Sequence, residues 1–253
     1  MKTKTQFSLI LACYNEKDNL KKTVELSIKA LEKFFKRFEI IVIDDKSEDK
    51  SPHIADSLAK KYSSVRVIHN LINLGQGISF LIGLRVSRGD LVMQNGVDRP
   101  FNIKDLKKVL PYFPKYDSVV VARIDRHAYS FWRKITSWGN ILLRGIFFGF
   151  KYKDLNFVQI YKRKVVKSIN VMARSAAFVT QELILKAQKK GYKIIEIRLP
   201  YFKRVGGVAH HGKKRDILWA LIDMVNFWLE YQTEATASKS PKKSVGIGSR
   251  NNP

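Results

Sequence analysis

The sequence predicts an α/β protein with a mostly parallel sheet and helices on both faces of that sheet. Two observations carry the prediction: short apolar runs alternate with segments of helical periodicity, and polar turn residues bound each apolar run. Strands that alternate with helices are typical of parallel sheets, because the chain must cross over to start each new strand from the same edge. In such sheets ligands bind beyond the carboxyl ends of the strands.

The first half of the chain supplies five predicted strands and three predicted helices. The strands are 7–12 (FSLILA), 39–43 (EIIVI), 65–68 (VRVI), 90–93 (DLVM) and 118–122 (SVVVA). The helices are 19–35, 51–62 and 78–86. The first helix is predicted from the helical spacing of Leu20, Val24, Ile28, Leu31 and Phe35. Asp18 or Asn19 is its expected N-cap, and Ser51 before Pro52 is the expected N-cap of the second helix.

The second half contains two strongly apolar segments, 129–150 and 217–229. In the first, Phe131, Ile135, Trp138, Leu142 and Ile146 recur at three to four residues and share a helix face. Such amphipathic helices either lie in a membrane interface or cover the core, and both readings stay open. From Thr233 onward the residues are mostly polar, which predicts a disordered basic tail over 233–253.

The charge balance predicts an anionic partner. The chain has 47 Lys and Arg against 22 Asp and Glu, a formal net charge of +25. Nucleic acid, a lipid surface and a phosphorylated substrate would each meet that charge. The basic residues are dispersed, and no zinc motif or recognition-helix signature is evident, so we do not expect nucleic acid as the partner. Cys13 is the single cysteine, which excludes an internal disulfide and a cysteine-built zinc site.

Acidic side chains follow several of the predicted strands. Glu16 comes after the first strand, Asp44 and Asp45 directly end the second, and Asp98 lies beyond the fourth, which Asp90 opens. Carboxylates at that edge can accept hydrogen bonds from a nucleobase or from ribose hydroxyls. Asp49 and Asp105 are instead expected to cap helices and turns.

Four short motifs occur in order: CYNE, IDDKSED, NLGQG and RGD. Together they resemble the nucleotide-binding half of the family-2, GT-A-fold glycosyltransferases, and most of all the polyprenyl-phosphate (dolichyl-phosphate mannose-type) sugar synthases. The likeness implies one GT-A domain over 1–232, with a nucleotide-binding half at about 1–125 and an acceptor half at about 126–232. It implies a hexosyltransferase that uses a GDP- or UDP-sugar donor and a lipid phosphate acceptor in the synthesis of cell-envelope glycans.

The resemblance also assigns a nucleotide-sugar site by matching positions. Ala12, which stands where the family has proline, is followed by Tyr14 and Glu16 in the first-strand motif. Asp44 and Asp45 match the pair that holds base and ribose. Asn73 and Gly75 match the glycine-bearing loop beside the nucleotide, where a glycine lets the backbone approach a ligand.

The fourth-strand motif departs from the family. The family carries Asp-x-Asp, which binds a divalent cation at the sugar diphosphate, whereas Gln94 and Gly96 occupy these positions here. The implied cofactor is Mg²⁺ or Mn²⁺, which prefers carboxylate oxygens. Asp98 is the remaining candidate ligand, and Arg99 is an alternative that would neutralise the diphosphate directly. The residues leave the metal requirement open.

Basic residues are the candidates for binding phosphate, and with Asp98 they are the candidates for catalysis. The catalytic candidates are Asp98, Arg99 and Arg204, the last in an Arg-x-x-Gly segment (RVGG) that resembles the family. The acceptor-phosphate candidates are Arg123, Arg126 and Lys162. A phosphate oxygen is already anionic, so the inverting displacement that the family performs would need no general base. If the acceptor is a hydroxyl, Asp125 and Asp154 are the first base candidates.

Two alternative functions remain. A glycosyltransferase-like protein that binds nucleotide or lipid without turnover is favoured by Gln94 and Gly96, and a nucleic-acid-binding protein is prompted by the charge. No uninterrupted apolar run reaches the roughly 18 residues of a membrane span. We therefore expect a cytoplasmic protein that is peripherally associated with the inner face of a membrane.

Overall fold

The computed structural model describes residues 3–98, 101–124, 139, 142, 145–149, 152, 154–155, 157–200 and 214–239. The strands are β1 (Thr3–Cys13), β2 (Phe35–Asp44), β3 (Val65–His69), β4 (Leu91–Gly96), β5 (Ser118–Arg123), β6 (Val158–Lys162) and β7 (Ile194–Leu199). The α-helices are α1 (Leu20–Leu31), α2 (Ser51–Lys61), α3 (Gln76–Val86), α4 (Leu106–Val109), α5 (Arg163–Ser168), α6 (Ala176–Lys189) and α7 (Lys214–Lys239). Short 3₁₀ turns, Ile103–Asp105 and Leu110–Tyr112, flank α4.

The described strands form one seven-stranded sheet in the order β3-β2-β1-β4-β6-β5-β7. The pairs β1–β2, β1–β4, β2–β3 and β5–β7 are parallel, whereas β6 runs antiparallel to both of its neighbours. The predicted mostly parallel α/β sheet is therefore confirmed. The carboxyl ends of β1, β2 and β4 meet at one edge, as three adjacent parallel strands require.

Two apolar layers cover the two faces of the sheet. Alternate residues of β1 from Phe7 to Cys13 pack with α1, α2 and α4, whereas Ile10 packs with α3, α6 and α7. This division follows from the period of two along a strand, which sends successive side chains to opposite faces. The buried runs of β1, β2 and β4 are thus covered on both sides, as is typical of parallel sheets.

The first helix is shorter than its periodicity predicts. α1 ends at Leu31, and Phe35 is the first residue of β2, where it pairs with Thr3. The Phe35 ring stacks on that of Phe7, with 4.6 Å between ring centroids. An apolar residue such as Phe35 would be buried both at the end of a helix and at the start of a strand. Helical spacing alone therefore does not distinguish the two positions, and tertiary packing places Phe35 in the strand.

The expected N-cap is confirmed in position for the first helix and is off by one residue for the second. Asn19 is the N-cap of α1, but its side chain makes no capping bond and donates instead to Oε2 of Glu16 at 2.8 Å. Lys50 is the N-cap of α2, and Ser51 is already inside the helix. The Ser51 hydroxyl accepts the Glu16 N–H at 2.9 Å, so both polar side chains tie helix starts to the loop after β1.

The last helix extends into the segment that the sequence predicts as a disordered tail. α7 continues to Lys239 and so includes the first seven residues of the predicted tail, 233–239, because this stretch contains alanines and a glutamate that favour helix. Within its described side chains, Ala220, Met224 and Phe227 are buried against α6. Asp223 accepts the N–H groups of Ser175 at 2.8 Å and Arg174 at 3.2 Å, and so caps the N-terminus of α6. No helix in the described part of the chain is long and apolar enough to cross a membrane.

Candidate nucleotide-sugar site

The sheet register brings the predicted motifs together at one edge. Cys13 pairs with Asp44, and Ala12 pairs with Gly96, so the loops that follow β1, β2 and β4 are neighbours. Tyr14 and Glu16 are half-buried at this edge, whereas Asp44 and Asp45 are each 3% exposed. The loop ends enclose the crevice in which an α/β sheet of this type binds ligands.

The loops after β1 and β2 are joined by Asn15. Its Oδ1 accepts the N–H of Glu48 at 2.8 Å and that of Asp49 at 3.3 Å, and its own N–H donates to the Ser47 hydroxyl at 3.0 Å. Asn15 has a φ of 54° and Lys46 a φ of 62°, the two described non-glycine residues with left-handed backbone. Such conformations persist where surrounding bonds enforce them, and they cluster at ligand sites.

Asp45 holds the glycine-bearing loop through three hydrogen bonds. Its Oδ1 accepts the Asn70 side-chain amide at 2.8 Å and the Leu74 N–H at 2.9 Å, and its Oδ2 accepts the Gly75 N–H at 2.8 Å. Gly75 has a φ of 84°, which favours glycine at this position. Of the other predicted loop residues, Asn73 is exposed beside this turn. The second acid of the pair thus shapes the loop.

Asp44 is bonded to a histidine that the sequence analysis did not single out. Asp44 Oδ1 accepts the Ser47 N–H at 3.1 Å, and Oδ2 lies 2.9 Å from Nδ1 of His69. Nε2 of His69 lies 3.1 Å from Oδ1 of Asp56. The hydrogen bond to Asp44 is the main reason that the pKa of His69 is raised above its ordinary value, and Asp56 adds to the effect against a smaller opposing contribution from burial. The cationic imidazole is therefore favoured between two carboxylates.

Asp49 takes the structural role expected for it. Its carboxylate accepts the N–H of Ser51 at 2.8 Å and that of Lys17 at 3.1 Å. Burial alone would raise the pKa of this carboxyl, but these bonds outweigh it and the pKa is lowered. Asp49 thus closes the turn before α2 rather than facing the crevice with an unshared carboxylate.

At the end of β4, partly exposed residues alternate with buried ones. Gln94, Gly96 and Asp98 are partly exposed, whereas Asn95 and Val97 are buried. Asn95 shapes the following turn, since its Nδ2 donates to the Phe101 carbonyl at 2.9 Å and its Oδ1 accepts the Phe101 N–H at 3.3 Å. The partly exposed positions at the end of β4 therefore provide the amide of Gln94, no side chain at Gly96, and the carboxylate of Asp98.

This donor set does not fit a divalent cation held by a pair of carboxylates. Gly96 has no side chain, and the Gln94 amide has no charge to balance that of Mg²⁺ or Mn²⁺. Across the described residues no group of three or more His, Cys, Asp and Glu side chains is arranged to hold a metal ion. The predicted cation is therefore not assigned to protein ligands here.

Arg123 reaches the crevice edge, at the end of β5, but it is ion-paired there. Its Nε donates to Oδ2 of Asp154 at 2.6 Å, and its Nη2 donates to Oδ1 at 2.9 Å. Both side chains are largely buried, with exposures of 12% and 3%. The Asp154 N–H donates to Oε2 of Glu196 at 3.3 Å. Arg123, the predicted phosphate ligand, thus uses two of its donors on Asp154, the predicted alternative base.

Lys162 is placed at the opposite edge of the sheet, which corrects its prediction as an acceptor-phosphate residue. It pairs with Leu91 at the start of β4, and its ammonium lies 3.3 Å from Asp117. The reason is that β6 runs antiparallel, so its last residue lies where β4 begins. Asp90 lies at the same far edge and accepts the Gln6 N–H at 2.8 Å. Arg99, Arg126 and Arg204 lie outside the described residues, as do Trp138 and most of 129–150.

The residues that the sequence reasoning missed are polar partners of the motifs. His69 ends β3 and Asn70 directly follows it, next to the acidic pair, and Asn95 lies between the two altered motif positions. The first two could have been found by extending the strand register, because Asp44 pairs with His69. Asn95 has no comparable sequence signal, since its role depends on a turn that brings Phe101 back to it.

Curated relatives of this chain act on polyprenyl phosphates by name. The undecaprenyl-phosphate 4-deoxy-4-formamido-L-arabinose transferase of Edwardsiella ictaluri (strain 93-146) is 25% identical over 244 residues, which cover 95% of this chain and 70% of the relative. The dodecaprenyl-phosphate galacturonate synthase of Rhizobium johnstonii (strain DSM 114642 / LMG 32736 / 3841) is 23% identical over 235 residues, which cover 90% of this chain and 68% of the relative.

Solved structures share the fold at low identity. Glucosyl-3-phosphoglycerate synthase from Mycobacterium tuberculosis, in complex with Mn²⁺, UDP-glucose and phosphoglyceric acid, superposes with a TM-score of 0.67 at 16% identity, covering 88% of this chain and 80% of that one. Mannosyl-3-phosphoglycerate synthase from Rubrobacter xylanophilus gives a TM-score of 0.66 at 17% identity, covering 96% and 79%. The GT-A type of α/β fold is thereby confirmed.

A family model covers the part of the chain that builds the crevice. It matches residues 8–178, which include part of β1 and all of β2 to β6. The matched range contains Glu16, the Asp44–Asp45 pair and the altered motif at Gln94 and Gly96. The match spans well over half of the chain. On this evidence the chain belongs to glycosyl transferase family 2.

Proposed function

We propose that this protein transfers a sugar from a nucleotide diphosphate sugar to a polyprenyl-phosphate-type lipid, with inversion at the anomeric carbon. The observation that carries the donor half is the buried pair Asp44–Asp45 between three bonded loops at the carboxyl edge of the sheet. The acceptor half is supported by the names of the two relatives and by the exposed apolar face of α7. Identity of the base and of the sugar is a matter for experiment.

Asp44 and Asp45 would recognise the base and ribose by accepting hydrogen bonds. They would use the lone-pair positions of their carboxylates that no hydrogen bond within the protein already occupies. A carboxylate has about four such positions, and Asp45 uses three of them for Asn70, Leu74 and Gly75. We infer that Asp45 presents the loop and accepts at most one ligand hydrogen bond, while Asp44 takes more of the polar contacts. Tyr14 and Glu16 border the same pocket.

The diphosphate would be neutralised by cationic side chains, because the β4 residues do not fit a protein-held cation. Arg99 and Arg204 are the proposed residues, as their motifs imply, and Arg123 is proposed as a positioning residue through its ion pair with Asp154. Arginine suits this work, since its guanidinium binds phosphate oxygens in pairs and keeps its charge. Catalysis would then rest on orientation and charge stabilisation.

The hydrogen bonds that Asp154 accepts from Arg123 favour a phosphate acceptor over a hydroxyl acceptor. A hydroxyl nucleophile needs a base to take its proton, and both oxygens of the Asp154 carboxylate already accept hydrogen bonds from Arg123. A phosphate oxygen needs no deprotonation. In the proposed step that oxygen forms a bond to the anomeric carbon as the bond to the nucleoside diphosphate breaks, and the diphosphate leaves with the electron pair.

Peripheral membrane association is supported by an exposed apolar stripe on α7. Its members are Leu218, Trp219, Leu221, Ile222, Val225 and Leu229, which are 37% to 57% exposed. Most of them recur at three to four residues and so lie on one side of the helix, opposite the buried face. A stripe of this kind inserts its apolar side chains at the boundary of head groups and acyl chains. We propose this face as the contact with the acceptor's membrane.

A donor screen tests the proposal. Purified protein is incubated with a panel of GDP- and UDP-sugars and a short polyprenyl phosphate, with and without EDTA, and the glycolipid is identified by mass spectrometry. A sugar-lipid product from one donor would support the transferase. Nucleotide binding without any product would favour the alternative, a non-catalytic nucleotide-binding member of the family, which the Gln94 and Gly96 positions motivate.

A further inference from the structure

A second cavity lies at the edge of the sheet opposite the crevice. It has a volume of about 430 Å³ and is bounded by the C-terminal half of α3, by α5 with the loop that follows it, and by Leu183 of α6. Ser87 in its wall precedes β4, and Arg163 directly follows β6, so the cavity is beside the start of β4. At about 3.3 Å per residue the length of β4 separates it from the crevice by about 17 Å.

The lining of this cavity combines an apolar floor with a cationic rim. Leu81, Leu84, Val166, Ile169, Val171 and Leu183 supply the apolar part. Arg85, Arg163 and Lys167 supply positive charge, and none of the described lining residues is acidic. Six of the twelve lining residues are apolar and six are polar or charged, and the volume is within the range of small-molecule sites.

The three cationic side chains of the cavity differ in the hydrogen-bond partners they have within the protein. Arg85 and Lys167 are exposed and have no hydrogen-bond or ion-pair partner among the described residues. Arg163 donates from Nη1 to the Arg88 carbonyl at 2.9 Å and from Nη2 to the Ser87 carbonyl at 3.3 Å. Its Nε is buried and finds no acceptor among the residues that the structure describes. A buried N–H without an acceptor is costly, so an oxygen supplied from outside the chain would be favoured here.

From this combination we propose a second ligand site, separate from the donor crevice, for a small anionic amphiphile. The ligand class is a phosphate monoester with a short hydrocarbon body. Its phosphate would accept from Arg85, Lys167 and Arg163, and its hydrocarbon would lie on Leu84 and Val166. The apolar floor excludes inorganic phosphate as the best ligand, and the cationic rim excludes a neutral alcohol.

Isothermal titration calorimetry of the full chain with hexyl phosphate, inorganic phosphate and hexanol tests the proposal. We expect hexyl phosphate to bind about tenfold more tightly than either of the others, as a charge-assisted contact and a buried alkyl chain together require. The double variant Arg85→Gln/Lys167→Gln should lose about tenfold in affinity for hexyl phosphate. Lys60→Gln, which neutralises an exposed lysine on α2, is the matched control and should change nothing.

A variant that fills the apolar floor distinguishes the contribution of the floor from that of the cations. Val166→Phe keeps all three cations and occupies the apolar floor, so it should remove the advantage of hexyl phosphate over inorganic phosphate. The proposal is overturned if hexyl phosphate binds no better than phosphate, or if the Arg85/Lys167 variant binds it as the original protein does. Because those two side chains are at the far edge from Asp44 and Asp45, binding of hexyl phosphate in the crevice would be insensitive to them and would count against the site.

Discussion

The carboxylate of Asp45 accepts the backbone N–H of Gly75 across the mouth of the crevice at 2.8 Å. One acid therefore determines the conformation of a loop that is thirty residues away in sequence. With Asn70 and Leu74 on its other oxygen, the side chain acts as a clamp between the end of β2 and the start of α3. Changes at Asp45 should consequently affect loop order and nucleotide affinity together.

Asp45→Asn should weaken UDP or GDP binding by about tenfold or more, because an amide cannot accept every bond that the carboxylate does and charged acceptors contribute the stronger bonds. Calorimetry measures the affinity, and hydrogen exchange at Leu74 and Gly75 reports the loop. Asp105→Asn is the control, since that carboxylate lies away from the acidic pair and is ion-paired with Lys108. Unchanged nucleotide affinity in Asp45→Asn would remove the acidic pair from the proposed pocket.

His69 should make stability depend on pH. Its pKa is raised in the folded state, chiefly by the hydrogen bond to Asp44 and further by Asp56, so protonated His69 stabilises the fold. That stabilisation is complete below the ordinary histidine pKa of about 6.5 and is lost as pH rises through the raised value. Urea unfolding of the original protein and of His69→Gln should differ most at low pH and converge at high pH. A difference that is the same across pH 5–9 would contradict the assignment.

Donor binding should survive chelation in the original protein and become cation-dependent in a double variant. Gln94→Asp/Gly96→Asp restores two carboxylates on the partly exposed side of β4 and gives Mn²⁺ the oxygen ligands it prefers. The measurement is nucleotide affinity with EDTA and with added MnCl₂ for both proteins. Loss of nucleotide binding by the original protein in EDTA would show that a cation is needed despite the altered motif.

Trp219→Glu and Val225→Glu should each reduce association with anionic liposomes, because a charge on the apolar stripe of α7 opposes insertion at the interface. Co-sedimentation measures the bound fraction. Asn226→Glu is the matched control: it adds the same charge to an exposed position of the same helix without removing apolar surface. Equal loss in all three variants would indicate a general charge effect, and no loss in the first two would exclude the stripe as a membrane contact.

Asp223→Asn should destabilise the fold by about 1 kcal/mol, since the carboxylate caps the N-terminus of α6 through the N–H groups of Arg174 and Ser175. Urea unfolding gives the change in free energy. The neighbouring Asn226→Asp, which has no such cap, should leave stability nearly unchanged. An Asp223→Asn protein as stable as the original would mean that the Asp223 carboxylate adds nothing to the docking of α7 on α6.

Much of the parallel half of the sheet follows from local sequence. The apolar runs that end at Cys13 and Asp44 are buried on both faces, so their composition alone indicates strands. β3 lies at the end of the strand order and is only partly buried. The motifs after these strands fall at one edge, as the topology requires. Gly75 and the acidic pair, which the family resemblance assigns to one site, are neighbours in the structure.

The structure of the second half of the chain could not be predicted as well, because it depends on contacts that local sequence does not encode. Nothing in the residues 158–162 indicates that β6 runs against its neighbours, and that reversal is what carries Lys162 away from the crevice. Arg123 was predicted as a phosphate ligand from its place after a strand, but its partner Asp154 is 31 residues later in the chain. Pairings between distant residues are visible only once the fold brings them together.

The position of β6 between β4 and β5 also determines the order in which the sheet can be completed during synthesis. β4 has no hydrogen bonds to β5; both pair with β6, which is made some forty residues after β5 begins. The four parallel strands β1 to β4 can therefore assemble as a unit, but β5 and β7 cannot join them until residues 158–162 have left the ribosome. Until that moment the nascent chain has an open strand edge at β4, and a chaperone or an early partner would find it there.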